Sequence, residues 1–358
     1  MKIHELSPRD AELVGSFARF AATEAEQQAA LEKYLAATRG DERRRAQSLL
    51  ARIALKKFLK GRHTFELASP YQATSIHMQV LLNGRRVHGV ALKVGVNAAK
   101  PATLELDTGA SGITITRRVA EAAQVEKIAE MDLHGLGDVR DPTGYVGFAE
   151  HIQVGDVELR NCVVHVSDKA FSADSEGLVG ADIFERFLIT LDFRNRNVVL
   201  QPLPGPAWDG REPVDRYMGP ELKGYSQVYQ FGHHLLLKTM VGEVATGLFL
   251  LDTGAGESLI SPQAAAQVAK VHPTDRFQMK GVSGQIKNLE SASEVTLAFA
   301  GYRQRIRDLL AMDLSDVSKS SGTEVAGILG LPMLILFDLT IDYRDGMVKF
   351  NYNPPPGL

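Results

Sequence analysis

The feature that most constrains this chain is an internal repeat. LELDTGASGITIT, starting at Leu104, matches FLLDTGAGESLIS, starting at Phe249, and the two Asp-Thr-Gly triplets stand 145 residues apart. Each triplet closes an apolar, β-like run. Each is followed by a segment of helical character behind a hydroxyl residue, Thr116 before RRVAEAAQV and Ser261 before PQAAAQVAK. A glycine-bearing turn comes next in both halves, HGLGD from His134 and GVSGQ from Gly281. Last, GLVGADIFERFLITLDF from Gly177 aligns with GILGLPMLILFDLTIDY from Gly327, so Gly180 falls on Gly330 and Asp192 on Asp342. Four landmarks recurring in one order at nearly constant spacing predict two copies of one β-rich lobe.

The rest of the chain is arranged around that duplication. Residues 1–62 read as a helical hairpin. Ser7 and Pro8 can start a first helix, Gly40 can stop it, and Asp41 can cap a second one. That second helix sets Leu49, Leu50, Ile53 and Phe58 against a basic face running from Arg43 to Lys60. The basic face reads as solvated surface or, alternatively, as a propeptide or docking element. From residue 63 to 202 short β-like runs alternate with Asn-Gly and Pro-bearing turns, giving a first lobe. Residues 203–228 hold clustered proline and glycine without a clear period and read as a linker, and residues 229–358 form the second lobe. The expected fold is mostly β and bilobal, with an N-terminal α-helical hairpin.

Composition limits the function classes. A net charge of −3 gives no overall basic field for nucleic acid. There is no run of apolar residues long enough for a membrane span. Cys162 is the single cysteine, so no intrachain disulfide can form, and NCVVHV reads as a strand with Cys162 in the core. No Cys/His set has zinc spacing, and His233 and His234, adjacent on a predicted strand, point to opposite faces rather than to one metal. No cofactor or metal is expected. MKIHELSPRD does not read as a signal peptide, so the sequence as it stands fits the cytoplasm. A trimmed export signal would instead mean the periplasm or secretion.

Two aspartates, one per lobe, are what peptide hydrolysis by activated water needs. Like charges a few Å apart cannot both ionise, so a close carboxylate pair shares one proton. The ionised member takes a proton from water while the protonated member hydrogen-bonds the scissile carbonyl. Asp107 and Asp252 are therefore the candidate catalytic pair. Gly109 and Gly254 are expected to let the chain turn sharply and to offer backbone N–H groups to the carboxylates. Thr108 and Thr253 can bond across to the opposite loop. Ala110 and Ala255 cannot donate a hydroxyl hydrogen bond, which predicts a mildly rather than strongly acidic optimum.

The pattern of an apolar strand, Asp-Thr-Gly-Ala, a glycine-rich turn and a hydrophobic–hydrophobic–Gly segment resembles the retropepsin-like aspartic proteases over roughly residues 75 to 352. Both copies lie in one chain, as in pepsin-like enzymes, though each lobe is retropepsin-sized. The resemblance implies an aspartic endopeptidase acting on a peptide or protein substrate, a monomer because the pseudo-dimer is internal. It implies an inter-lobe hydroxyl grip by Thr108 and Thr253. It also implies flap tips at Gly135 and Gly137 in the first lobe and at Gly281, Val282 and Gly284 in the second. His134 beside the first tip reads either as a substrate contact or as a solvated loop residue. Asp182 matches the polar residue after the hydrophobic–Gly segment, whereas the second lobe has Leu331 and Pro332 there. A catalytically silent peptide-binding module and a zymogen covered by its own helical hairpin are the alternatives.

Overall fold

The computed structural model describes residues 23–37, 41–84, 86–132, 143–168, 171, 174–204, 223–274, 279–281, 284–286 and 289–356. Period-two alternation builds the first lobe around its aspartate strand, whereas the second lobe's aspartate strand is buried on both faces toward its end. In Ala102–Asp107 the side chains of Ala102, Leu104 and Leu106 are sealed in the core, while Thr103, Glu105 and Asp107 lie on the other, partly open face. This strand is antiparallel to Arg86–Val96 and parallel to Gly177–Gly180, with Gly180 opposite Asp107. The second lobe repeats the arrangement. Ala245–Asp252 is antiparallel to His234–Val241 and parallel to Gly327–Gly330, with Gly330 opposite Asp252. Each aspartate thus closes a central strand beside a glycine.

The two lobes share a sheet at their base. Phe187–Asp192 of the first pairs antiparallel with Phe337–Asp342 of the second, and Thr190 stands opposite Thr340. These two threonines are repeat equivalents, 150 residues apart, with hydroxyls 3.1 Å from each other. A residue paired with its own equivalent lies on the symmetry axis, so the local two-fold passes through this pair. Leu104 and Leu106 belong to the same apolar cluster as Phe249 and Leu251, so the core is continuous across the axis.

Helices Glu24–Ala37 and Asp41–Leu59 pack together through Ala30, Leu31, Tyr34 and Ile53. The second helix lies on strand Glu126–Asp132, and Phe58 meets the Phe148 ring edge-on at 5.1 Å between centroids. Ser7, Pro8 and Gly40, the expected signals around the first helix, lie outside the described residues.

Two expectations change. Residues 225–228, assigned to the linker, belong to strand Tyr225–Phe231, which pairs with Met347–Tyr352 and with His234–Val241. Their periodicity is hidden by polar residues, because the strand is mostly exposed and only Val228 is buried. The hydroxyl caps also differ. Ser261 Oγ accepts a hydrogen bond from the Ala264 N–H at 3.2 Å, but Thr116 makes no cap bond, and its Oγ1 is buried without a partner among the described residues. Backbone angles match at the two positions, φ −71 and ψ 155 against φ −69 and ψ 144. The backbone at the cap position is therefore not what separates the two.

Candidate active site

The chain ends of the two central strands meet at the lobe junction, and there the structure brings Asp107 and Asp252 together. Their carboxyl groups are hydrogen-bonded to each other. The Gly109 N–H donates to Asp107 Oδ1 at 2.8 Å. Asp252 Oδ1 accepts from the N–H groups of Gly254 at 2.9 Å and Ala255 at 3.0 Å.

The chain turns at both glycines, as expected, but neither Gly109 nor Gly254 has a positive φ, so the turn alone does not require glycine. Space is the reason instead. A methyl group on Gly109 would lie 2.7 Å from Asp252 Cγ, and one on Gly254 would lie 2.5 Å from Asp107 Oδ2. Each glycine makes room for the opposite carboxylate.

The threonines cross over. The Thr108 hydroxyl donates to Leu251 O at 2.8 Å and accepts from the Thr253 N–H at 3.0 Å. Reciprocally, the Thr253 hydroxyl donates to Leu106 O at 2.8 Å and accepts from the Thr108 N–H at 3.0 Å. All four groups are buried, so the two loops cannot separate without leaving polar groups unpaired.

Burial lifts both carboxyls above the usual range. Asp252 is lifted well above it, by desolvation and then by the charge of Asp107. For Asp107, hydrogen bonds from Asp252 and Gly109 and the charge His233 can carry act against desolvation. For a pair placed this way, ionising both members together is disfavoured.

Outer contacts differ between the loops. In the first, Asp182 accepts from the Ser111 hydroxyl at 2.9 Å and from the Gly112 N–H at 2.8 Å. In the second, where Pro332 replaces that aspartate, the Ser258 hydroxyl accepts from the Gly330 N–H at 3.0 Å. A hairpin turn from each lobe also reaches the other lobe's loop. Arg86 donates to Gly256 O at 3.2 Å and pairs with Glu257 at 2.6 Å. His233 Nε2 lies 3.1 Å from Gly109 O.

The expected orientation of the two adjacent histidines is corrected here. The strand begins at His234, and His233 sits in the turn after Gly232, whose φ is +59°. Their rings therefore touch, with centroids 4.1 Å apart, instead of facing opposite ways. The His234 Nδ1 is 2.9 Å from the buried Ser321 hydroxyl, and burial lowers its pKa to about 4.

Of the expected flap residues, Gly281 and Gly284 face each other across the hairpin of Met279–Gly281 and Gly284–Ile286. His134, Gly135, Gly137 and Val282 lie outside the described residues. Among the described residues no group of His, Cys, Asp and Glu could hold a metal ion. Nor is any helix there long and apolar enough to cross a membrane.

Three nearby residues are not placed at the site by the sequence: Arg86, His233, which the sequence weighs only against a metal pair, and Glu105. The first two act through turns whose reach across the axis has no local signal. Glu105 was findable, because a residue two before Asp107 on a strand must share its face.

Comparison with known proteins gives a partial match. Residues 90–183 match a family model described as aspartyl protease. Among solved structures, the aspartic proteinase from Irpex lacteus aligns at TM-score 0.49 and 11% identity, covering 78% of this chain and 97% of that one. No curated protein sequence matches. The family match over the first lobe, with the same strand-end aspartate arrangement repeated in the second, makes the fold of this mostly β, two-lobed chain aspartic protease-like.

Proposed function

We propose that the chain is an aspartic endopeptidase in which Asp107 and Asp252 activate one water molecule for attack on a peptide bond. The observation that carries this reading is the hydrogen-bonded carboxyl pair, with Asp252 buried and Asp107 partly so, held by four reciprocal threonine contacts across a two-fold axis. A purely structural junction has no need of two acids withdrawn from water, because each costs desolvation energy that an apolar pair would not. In the reaction the ionised member takes a proton from water while the protonated one hydrogen-bonds the scissile carbonyl. That proton then passes to the leaving nitrogen. Thr108 and Thr253 fix the distance between the carboxyls. Gly109 and Gly254 let them approach, and the hairpin carrying Gly281 and Gly284 closes over an extended peptide. One chain supplies both halves, so it works as a monomer.

The test is digestion of an unfolded-protein peptide library between pH 4 and 7. Wild type should cleave, and Asp107→Asn and Asp252→Asn should each lower kcat/KM by about 10²–10⁴-fold. Equal activity in either variant sinks the reading. With no hydroxyl donor at Ala110 or Ala255 and both carboxyls lifted, the optimum should be mildly acidic, and a maximum near pH 2 would contradict it.

One observation favours a regulatory role for the helical hairpin. Helix Asp41–Leu59 lies on strand Glu126–Asp132 of the first lobe. Removing residues 1–62 should then raise activity, and unchanged activity would remove this role.

A further inference from the structure

Glu105 takes no part in the proton transfers of the aspartate pair, yet it lies beside that pair. It stands two residues before Asp107 on a strand whose other face is sealed by Leu104 and Leu106, so its side chain emerges on the partly open face beside the dyad. Its cross-strand partner is Ala91. A methyl group on Gly89, two residues further toward the Asp107 end, would lie 2.5 Å from Glu105 Oε1 and 3.2 Å from Leu81 Cδ1. The carboxylate therefore leans over bare Gly89 backbone toward the dyad, with Leu81 alongside. Among the described residues nothing donates a hydrogen bond to it and no cation pairs with it. The nearby Lys93 is turned instead to the Thr103 hydroxyl at 2.6 Å. A largely buried carboxylate lacking a counter-charge is costly, and such groups normally find partners. The repeat equivalent is Leu250, only 3% exposed and packed among Leu236, Leu289 and Met312, so the acid belongs to one side of the cleft alone.

We propose that Glu105 is a specificity-determining residue that selects peptides carrying a lysine or arginine side chain next to the scissile bond, on the first lobe's side of the dyad. The inference rests on the endopeptidase reading. The missing counter-charge is supplied by the substrate, whose ammonium or guanidinium enters along the open face and pairs with Glu105 over Gly89. Burial, and then the charge of Asp107, push the Glu105 carboxyl up to about 8, so the empty site avoids two adjacent anions. An incoming cation reverses that balance and draws the proton off. Selection should therefore be by charge, with the long apolar stem of lysine or arginine lying against Leu81.

The experiment compares wild type, Glu105→Gln and Glu105→Asp on matched peptides that differ only in lysine or its uncharged isostere norleucine beside the cleaved bond. Wild type should cleave the lysine peptide at least about tenfold better. Glu105→Gln should lose that ratio while cleaving the norleucine peptide as fast as wild type or faster, and Glu105→Asp should recover part of it. An unchanged ratio in Glu105→Gln, or a wild type indifferent to lysine, overturns the proposal. Calorimetric binding of the same two peptides separates this outcome from failure of the endopeptidase reading. If nothing is cleaved, a lysine preference in binding that disappears in Glu105→Gln still supports the Glu105 site. The same binding ratio in both proteins rejects it.

Discussion

The two aspartate loops are alike where they touch each other and different everywhere else. Across the axis the match is almost atom for atom. The threonine bonds come in equal pairs of 2.8 Å and 3.0 Å, and each glycine leaves room for the opposite carboxylate. One step out, the loops diverge. Asp182 has no counterpart at Pro332, Glu105 is replaced by Leu250 at the equivalent position, and Arg86 grips one loop where His233 touches the other. The difference teaches that symmetry holds where both lobes contribute to one pair of carboxyls. Contacts made by one lobe alone are free to specialise.

The largest effects in this region should come from filling the tight spaces at the glycines opposite the two aspartates. Gly330→Ala would push a methyl group into the backbone carbonyls of Glu257 and Ala255, the latter at 2.8 Å. Backbone cannot step aside as a side chain can, so a loss above about 4 kcal/mol in chemical denaturation is expected. Gly180→Ala meets the Asp182 carboxylate and Ala110 O at 2.5 Å, and should cost a similar amount while also detaching Asp182 from Gly112. Next come Thr108→Val and Thr253→Val. Each removes one buried donor and one acceptor, at about 2–4 kcal/mol. If the axis is a true energetic symmetry, the two losses agree within about 0.5 kcal/mol, and the double variant shows strong coupling. Unequal single losses would break the comparison at its centre.

Much of this was legible in the sequence because the repeat aligns particular residues. Asp107 with Asp252 and Gly180 with Gly330 are readable as strings, and strand pairing puts each aspartate opposite its glycine. The pairing of Thr190 with Thr340 was not readable, because inter-lobe register depends on how two finished lobes dock. Strand Tyr225–Phe231 hid for another reason. It is a largely exposed strand whose polar residues give no apolar period. The need for glycine at 109 was read as turn freedom, but it is set by a carboxylate 143 residues further along the chain, which no local pattern reports.

Replacing one-sided contacts should give smaller effects that sharpen the asymmetry. Glu105→Leu makes the first lobe resemble the second. The Glu105 carboxyl is raised from an ordinary 4.5 to about 8. The unfolded chain therefore releases this proton first, and the native state loses stability as pH climbs from 4.5 toward 8. Glu105→Leu should thus gain about 2 kcal/mol over wild type at pH 8, after discounting for partial solvent access, and gain none from this source at pH 4. Melts at the two pH values measure it, and a gain of equal size at both would point to packing alone. Asp182→Ala should cost about 1–3 kcal/mol, since it strips bonds from Ser111 and Gly112. Ser258→Ala, which loses one bond to Gly330, should cost about 1 kcal/mol.

The smallest stability effects belong to the two crossing turns, yet these should separate most clearly in pH dependence. Arg86 is largely exposed, so Arg86→Met should cost no more than about 1 kcal/mol and leave the pH profile of cleavage where it was. His233→Phe keeps an aromatic ring against His234 and loses only the contact with Gly109 O. Its effect on the dyad is electrostatic, because the positive charge His233 can carry favours ionised Asp107. Without it Asp107 takes up its proton at higher pH, so the acidic limb of kcat/KM should move upward while the stability of the fold barely changes. A limb that stays in place in His233→Phe, or that moves equally in Arg86→Met, would mean the turns are interchangeable braces and not a charged contact on one side only.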